Sequence, residues 1–286
     1  MISYYPISDR WFNRYMDQKG FYGAQATMEF GKEEDEMCVT PYYYSQLLLE
    51  QLLEINTPSR VIDVGCGGGW LTRELAKHNP AIMKIEGMDK HYKLIQTCSY
   101  EAHQQNLDIS YRIENLETIP SEKYQGHYDL ITCHNVLGHV QNAESEITKL
   151  LSWLRKDGVL SLIIENPASR GIEASMKEQS ISFNEIANNY KNQNLPVEFI
   201  DARSKLIARR IKTHDQRMLY SCDDIERWLQ SQEKVSFEMR GLSVFMDYII
   251  DPQTHSMDQL ALEKVLSKNP SWMPYAYFYH FQIKKM

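Results

Sequence analysis

The sequence has 286 residues, with hydrophobic and charged fractions of 43% and 24% that are ordinary for one large α/β domain. A formal net charge of −7 argues against a protein that coats nucleic acid without selectivity. We expect no membrane association, because no apolar stretch approaches about eighteen residues and the amino terminus does not have the pattern of a secretion signal. The five Cys residues show neither disulfide nor zinc-ligand spacing, which predicts a reducing, cytoplasmic location and no metal.

The amino-terminal segment differs in composition from the remainder. It is rich in aromatic residues without a clear period, so residues 1–40 are predicted to form a leader or lid. Residues 41–286 are then predicted to form one domain, which opens with a helical pattern up to residue 55. We expect decoration of a single domain here and not a second domain.

Short apolar runs alternate with amphipathic segments from residue 61 onward. The runs predicted as strands are 61–65, 85–89, 109–114, 128–135 and 158–166, with helices between them. This alternation predicts an α/β fold with a doubly wound, mostly parallel sheet that helices cover on both faces. After Asn166 the alternation stops, and residues 168–217 are predicted to form a largely helical insertion. A helix over 221–230 then precedes the segments 235–250 and 275–283, which are predicted to pair as an antiparallel edge and complete seven strands.

The turn after the first predicted strand indicates the cofactor. It reads D-x-G-x-G-x-G from Asp63 through Gly65, Gly67 and Gly69, and glycines let a backbone turn sharply and approach a ligand closely. A dinucleotide motif would need glycine where Trp70 stands, and the Gly-Lys-Ser/Thr of a phosphate-binding loop is absent. A carboxylate at residue 63 would repel a pyrophosphate, but it suits the cationic sulfonium and ammonium end of S-adenosylmethionine. The segment resembles the first motif of class I methyltransferases.

This resemblance implies a Rossmann-like class I fold with S-adenosylmethionine as the methyl donor. Asp89 closes the second strand, where a carboxylate can accept two hydrogen bonds from ribose hydroxyls. Asn115 and Leu116 follow the third strand, where the family places a side-chain acceptor and a backbone amide against adenine. The predicted cofactor contacts are Asp63, Gly65, Cys66, Gly67, Gly69, Asp89, Lys90, Asn115, Leu116 and His134.

The fourth predicted strand ends at His134 and Asn135, and residues at the carboxyl ends of parallel strands face the ligand crevice. Both residues should therefore border the transferred methyl group. A phenol or alcohol acceptor needs a base, for which His134 is the catalytic candidate and His139 a second one. A carboxylate acceptor needs no base, and each histidine would then pack against or cap the following helix. The segment departs from the family's fourth motif, which often has Glu where Gly138 stands.

A basic stretch lies near the end of the predicted insertion. Residues 203–217 hold six Lys or Arg against one Asp, a local net charge of +5 that would attract a phosphate backbone or form a solvated helix face. This stretch, the fifth strand and the segment 241–248 resemble the tRNA 5-carboxymethoxyuridine methyltransferases, which esterify a modified wobble uridine. The resemblance implies tRNA as a partner and a substrate carboxylate held by Arg and hydroxyl groups. The candidates are Arg14, Arg203, Arg209, Arg210 and Tyr248.

Two other functions stay open at this stage. A small-molecule O- or N-methyltransferase would use the aromatic leader and the insertion as a lid over an apolar pocket. A protein that binds the adenosyl cofactor without turnover is the more remote alternative, because the loop glycines and Asp89 are intact. Salt-sensitive binding of tRNA would favour the first function, and a saturable small substrate the second.

Overall fold

The structure is a computed structural model and describes residues 47–55, 58–166, 210–212, 218–220, 222–242, 244, 257–273, 276 and 278–286. Helices α1–α6 occupy 47–53, Trp70–His78, Tyr92–Gln104, Ala143–Trp153, Cys222–Gln230 and Met257–Ser267. Strands β1–β9 are Arg60–Val64, Lys84–Asp89, Ser110–Ile113, Tyr128–His134, Leu154–Glu165, Arg210–Lys212, Met218–Tyr220, Val235–Leu242 and Phe278–Lys285.

Seven of these strands form one sheet in the order β3-β2-β1-β4-β5-β9-β8. Strands β3, β2, β1, β4 and β5 are parallel neighbours, whereas β9 is antiparallel to both β5 and β8. The predicted doubly wound, mostly parallel sheet of seven strands is therefore confirmed. So is the antiparallel pairing of the last two strands, and β9 lies between β5 and β8.

The central strands are buried because helices cover both faces of the sheet. Val61, Ile62 and Val64 of β1 are all at most 1% exposed, as the near-continuous apolar runs predict. Val61 contacts the core formed with helices α1, α2 and α6, while Ile62 and Val64 contact the core formed with α4 and α5. Burial of each such side chain contributes about 1.5–3 kcal/mol to folding.

Strand β5 begins earlier than the sequence predicts. It starts at Leu154, directly after α4, and not at residue 158. The segment Arg155–Gly158 reads as a polar turn in the sequence, but Asp157 adopts a left-handed φ of 64° and the pairing with β4 shifts register between Tyr128 and Leu130. The strand thus continues through a turn-like sequence, because the sheet is irregular at this point.

Part of the predicted helical insertion is described. Arg210–Lys212 is a strand that pairs antiparallel with Met218–Tyr220 in a separate two-stranded sheet. The other residues of 168–217, like the predicted leader 1–40, lie outside the described ranges. Among the residues that the structure describes, no helix is long and apolar enough to cross a membrane.

Candidate cofactor and active site

The turn between β1 and α2 is built from glycines in a conformation that other residues rarely adopt. Gly65, Gly67 and Gly69 have φ angles of 68°, 55° and 75°, in the left-handed region that favours glycine. At Gly65 there is also no space for a side chain, because a Cβ atom there would lie 2.3 Å from Cγ2 of Val136. The turn after β1 therefore rests directly on the segment that follows β4.

Backbone hydrogen bonds fix this turn to the end of β2. The N–H groups of Gly65 and Cys66 both donate to the carbonyl of Met88, at 2.8 and 3.0 Å. The N–H of Gly67 donates to Oδ2 of Asp89 at 3.2 Å. The predicted glycine and Asp89 positions are thus adjacent at the carboxyl edge of the sheet.

Two further side chains hold the turn from the helix side. Nη1 of Arg73 donates to the carbonyl of Gly68 at 2.9 Å, and the thiol of Cys98 donates to the carbonyl of Gly67 at 3.0 Å. Cys66 and Cys98 are both buried free thiols, and the hydrogen bond with Cys98, together with burial, raises the pKa of Cys66 well above its ordinary value. Cys66 is therefore an unreactive thiol, and its backbone forms part of the turn.

Asp63 lies inside the protein beneath the turn. It is 3% exposed, and its two oxygens accept hydrogen bonds of 2.7 Å from the hydroxyls of Thr72 and Thr132. Burial raises the pKa of Asp63 to about 6, against the lowering effect of both hydroxyls. Asp63 thus links the start of α2 to β4, and its predicted action on the cationic end of the cofactor stays a prediction.

Asp89 occupies the position predicted to hold the ribose. It closes β2 and is 6% exposed. Besides the bond from Gly67, its Oδ1 accepts a hydrogen bond from the N–H of His91 at 2.9 Å and lies 2.8 Å from Nδ1 of the same residue. The sequence analysis did not include His91, whose half-exposed ring lies beside the predicted ribose site. Lys90, between these two residues, is exposed.

The predicted adenine contacts follow β3 at the same edge. Oδ1 of Asn115 accepts a hydrogen bond of 3.1 Å from the N–H of Glu117, which forms a local turn. Leu116 is buried, and its carbonyl accepts a bond of 2.7 Å from Nζ of Lys149. Lys149 therefore anchors this loop to α4. The adenine contacts themselves stay predictions.

His134 ends β4, whose register places Cys133 beside Val64 at the start of the glycine turn. Its Nε2 lies 2.8 Å from Oγ of Ser161. Burial lowers the pKa of His134 to about 3, so the imidazole is neutral at neutral pH. A neutral imidazole next to the predicted cofactor site can accept a proton.

Asn135 follows His134 in a left-handed conformation, with a φ of 58°. Its N–H donates to the carbonyl of Ile163 at 3.0 Å, while its side-chain Oδ1 is buried without a partner among the described residues. The next turn, Leu137–His139, carries the second candidate base, His139, which is exposed. His134 is therefore the candidate that the fold places deeper at the crevice.

The structure reveals site residues that the sequence analysis missed. Oγ of Ser161 also lies 2.8 Å from Nε2 of His280, and Nδ1 of His280 lies 2.6 Å from Oε1 of Gln51. These residues come from β5, β9 and α1, which are far apart in the chain. A local sequence pattern cannot predict such a contact. The alternation along β5 indicates only that Ser161 lies on the same face as Ile163.

Tyr111 of β3 is another missed residue. Its hydroxyl is buried without a partner in the described part of the chain, and burial raises its pKa. A Cβ atom at Gly87 would lie 2.6 Å from the ring of Tyr111, and a Cβ atom at Gly69 would lie 2.8 Å from its hydroxyl. Tyr111 thus explains why glycine is needed at both positions.

The predicted substrate residues are mostly outside the described ranges. This holds for Arg14, Arg203, Arg209 and Tyr248, and only the backbone of Arg210 is described, at the start of β6. Their predicted contacts with substrate stay untested. Across the described ranges, no group of three or more His, Cys, Asp or Glu side chains could hold a metal ion.

Comparison with known sequences identifies the family. The family described as "Methyltransferase domain" matches residues 39–233. The ubiquinone biosynthesis O-methyltransferase of Coxiella burnetii (strain RSA 493 / Nine Mile phase I) is 34% identical over 100 residues, 35% of this chain and 41% of that protein. The enzyme of the same name from Escherichia coli O127:H6 (strain E2348/69 / EPEC) is 29% identical over 99 residues, 35% of this chain and 40% of that protein. The chain spans about two fifths of the length of these relatives.

Solved structures share the fold at low identity. The plantazolicin methyltransferase BpumL, in complex with a triazolic desmethylPZN analog and SAH, has a TM-score of 0.53 and 16% identity, and the likeness covers 96% of this chain and 93% of that one. The [4+2]-cyclase SpnF has a TM-score of 0.51 and 14% identity, with coverage of 83% and 79%. The sheet order, the glycine turn and the family match together identify the chain as a member of the methyltransferase-domain family, of the class I type that uses S-adenosylmethionine.

Proposed function

We propose that the protein transfers the methyl group of S-adenosylmethionine to a hydroxyl group of a small molecule. The observation that carries this proposal is the position of His134 at the end of β4, next to the strand that leads into the glycine turn, where burial keeps the imidazole neutral. A hydroxyl acceptor needs a base there, whereas a carboxylate acceptor does not. Two relatives named as O-methyltransferases of ubiquinone biosynthesis support the same choice.

The residues at the turn fit an adenosyl cofactor. The glycines hold the turn in left-handed conformations at the carboxyl end of β1, and Asp89 lies beside them where it can accept hydrogen bonds from sugar hydroxyls. When bound, S-adenosylmethionine supplies a methyl carbon activated by the adjoining sulfonium. We infer that Gly65, Gly67 and Gly69 approach the amino-acid half, Asp89 the ribose, and Asn115 with Leu116 the adenine.

In the proposed reaction His134 accepts the proton of the acceptor hydroxyl while the oxygen forms its bond to the methyl carbon. Bound S-adenosylmethionine would supply the methyl carbon, and the electron pair of its carbon–sulfur bond would remain on sulfur. The imidazole gains a positive charge as the sulfonium loses one, so the net charge of the site does not change. This balance makes protonation of His134 possible in the transition state, although burial disfavours an isolated imidazolium. The protein otherwise acts by alignment, which can be worth about 7–11 kcal/mol of barrier.

The tRNA carboxylate is the competing acceptor. The named relatives act in ubiquinone biosynthesis and therefore favour the small-molecule alternative over the tRNA function that the sequence resemblance implied. The basic stretch 203–217, on which the tRNA function depended, lies mostly outside the described ranges. We keep tRNA methylation as an outcome of the test and the cytoplasmic location as a prediction.

The test is methyl transfer from radiolabelled S-adenosylmethionine to two kinds of acceptor. One is a panel of phenols and catechols, and the other is bulk tRNA over a range of salt concentrations. We expect saturable, salt-insensitive labelling of a phenolic acceptor. Salt-sensitive labelling of tRNA alone, or cofactor binding without labelling of either, would contradict the proposal.

The role of His134 is tested with His134→Gln. We expect kcat to fall by about 10²–10⁴-fold, because the base is lost, while the Kd for S-adenosylhomocysteine changes much less than kcat. His103→Gln, at an exposed position of α3, is the matched control and should leave kcat unchanged. A His134→Gln enzyme with undiminished kcat would exclude His134 as the base.

A further inference from the structure

A chain of hydrogen bonds runs across the sheet from α1 to His134. His134 of β4 and His280 of β9 both pair with Ile163, from opposite sides of β5. Ser161 precedes Ile163 by two residues and therefore lies on the same face. Its hydroxyl lies 2.8 Å from Nε2 of each histidine.

The donor and acceptor roles in these hydrogen bonds follow from the contact between Gln51 and His280. Oε1 of Gln51 is a carbonyl oxygen, so Nδ1 of His280, 2.6 Å away, must donate to it. Burial, the neighbouring His134 and the charge of Arg240 lower the pKa of His280 well below its ordinary value, which leaves the ring neutral. A neutral imidazole that donates through Nδ1 can only accept at Nε2.

The remaining roles are then determined. The hydroxyl proton of Ser161 must be donated to Nε2 of His280, so the oxygen of Ser161 is left as an acceptor. Nε2 of His134 must therefore carry the hydrogen that is donated to Ser161. Because His134 is also neutral, its Nδ1 carries no hydrogen. Among the described residues, no group forms a hydrogen bond with that nitrogen.

We infer that Gln51, His280 and Ser161 are positioning residues, which fix His134 in the tautomer whose Nδ1 lone pair faces the active site as the proton acceptor. The tautomer is a property of the free protein, and its catalytic consequence rests on the proposed hydroxyl methylation. Arg240 of β8 lies opposite His280 in the sheet register, and its charge is paired with Glu54 and Glu238. Asp63 of β1 lies on the same face of the sheet and is bonded to threonines.

Burial of the chain explains why the tautomer is stable. Gln51, Ser161 and His280 are at most 2% exposed, so water does not compete for their bonds. A reversed chain would require the side-chain amide of Gln51 to turn over, so that Nε2 replaces Oε1 beside Nδ1 of His280. The two directions of the chain give opposite tautomers at both histidines, and this makes the inference measurable.

The first test is long-range ¹H–¹⁵N correlation NMR of the histidine rings in the full-length wild-type protein without ligand. His134→Gln and His280→Gln serve only to assign the signals. We expect a non-protonated Nδ1 in His134 and a non-protonated Nε2 in His280. The opposite pattern, or a mixture of tautomers at His134, would overturn the inference.

The second test is Ser161→Ala, with Ser161→Thr as the variant that keeps the hydroxyl. We expect Ser161→Ala to give a mixture of tautomers at His134 and to lower kcat by about tenfold or more, as orienting partners of catalytic imidazoles do. The KM for the acceptor and the Kd for S-adenosylhomocysteine should stay unchanged, and Ser161→Thr should restore both the tautomer and kcat. A single unchanged tautomer in a folded Ser161→Ala protein would contradict the inference.

The two proposals fail in distinguishable ways. If the wild-type tautomers are as expected but no hydroxyl acceptor is methylated, the positioning role of Gln51, His280 and Ser161 stands and the proposed function fails. If methylation depends on His134 while its Nδ1 carries the hydrogen, the proposed function stands and the positioning role is wrong.

Discussion

Two carboxylates at the carboxyl edge of the sheet have different surroundings, although the sequence assigns both to the cofactor. Asp63 is enclosed, with a threonine hydroxyl on each oxygen. Asp89 instead bonds to the backbone of the glycine turn and to His91 at the surface of the crevice. We therefore expect Asp89 to exchange a protein partner for a ligand hydroxyl, whereas the enclosed Asp63 would act on a ligand only through its charge.

Replacement of Asp89 tests the ribose contact. We expect Asp89→Ala to raise the Kd for S-adenosylhomocysteine about ten- to a hundredfold, because hydrogen bonds to a charged group are worth about 1.5–3 kcal/mol. Isothermal titration calorimetry measures this change. Asp108→Ala, at an exposed position before β3, is the control and should leave the Kd unchanged. An unchanged titration for Asp89→Ala would refute the placement of the ribose.

The raised pKa of Asp63 predicts a pH dependence of cofactor binding. With a pKa of about 6, Asp63 is ionised above this pH and loses its charge below it. If its charge attracts the ammonium end of the ligand, the Kd for S-adenosylhomocysteine should rise about fourfold between pH 7.5 and 5.5, as the ionised fraction falls. Calorimetry at both pH values should show this rise in the wild type and a smaller one in Asp63→Asn. Equal rises in the two proteins would show that Asp63 does not act on the ligand.

At the scale of elements, the β1 turn and the segment after β4 behave as one unit. Gly65 combines a φ of 68° with direct packing against Val136. Gly126, in the turn before β4, has a similar φ of 60° but open space where a Cβ would stand. Alanine substitutions at the two glycines therefore separate the free-energy cost of the left-handed backbone conformation from the cost of the contact with Val136.

We expect Gly126→Ala to lower the free energy of unfolding by about 1 kcal/mol, the cost of a left-handed alanine. Gly65→Ala should lower it by about 2–4 kcal/mol, because overpacking adds about 1–3 kcal/mol, and should weaken S-adenosylhomocysteine binding. Urea unfolding and calorimetry measure the two effects. Val136→Ala in the Gly65→Ala background should restore part of the loss, and equal losses for the two glycine variants would contradict the predicted clash.

The sequence predicts the elements that depend on local patterns. Apolar runs and helical spacing locate the strands and helices of the sheet, and the glycine spacing locates the turn beside Asp89. The start of β5 was missed, because the irregular segment Arg155–Gly158 reads as a turn. The chain from Gln51 to His134 could not be predicted, because its contacts join residues as many as 229 positions apart.

Across the whole molecule, buried ionisable groups determine how stability responds to acid. Burial lowers the pKa of His134 to about 3 and that of His280 well below its ordinary range. Both histidines titrate near pH 6.5 in the unfolded chain. Below this pH the unfolded chain binds more protons, so each histidine destabilises the fold by about 1.4 kcal/mol per pH unit. Asp63, whose pKa is raised to about 6, binds its proton first in the folded chain and offsets one histidine between about pH 6 and 4.

We therefore expect these three groups to lower the free energy of unfolding by about 2–3 kcal/mol between pH 6.5 and 4.5. Urea unfolding at several pH values measures the slope. His280→Gln should make the slope shallower, whatever its effect on stability at pH 7, and His103→Gln, at an exposed position of α3, is the control for the loss of one histidine. A slope that His280→Gln does not change would show that His280 takes up its proton over the same pH range in the folded and unfolded protein.

The position of β9 inside the sheet has a consequence for biosynthesis. Strand β8 leaves the ribosome before β9, yet its only neighbour in the described sheet is β9. A nascent chain that extends through β8 therefore presents two open strand edges, on β5 and on β8, which are prone to aberrant pairing until β9 inserts between them. Because β9 also brings His280 to Ser161, its insertion would join β8 to the rest of the sheet. The same step would complete the hydrogen bonds that position His134.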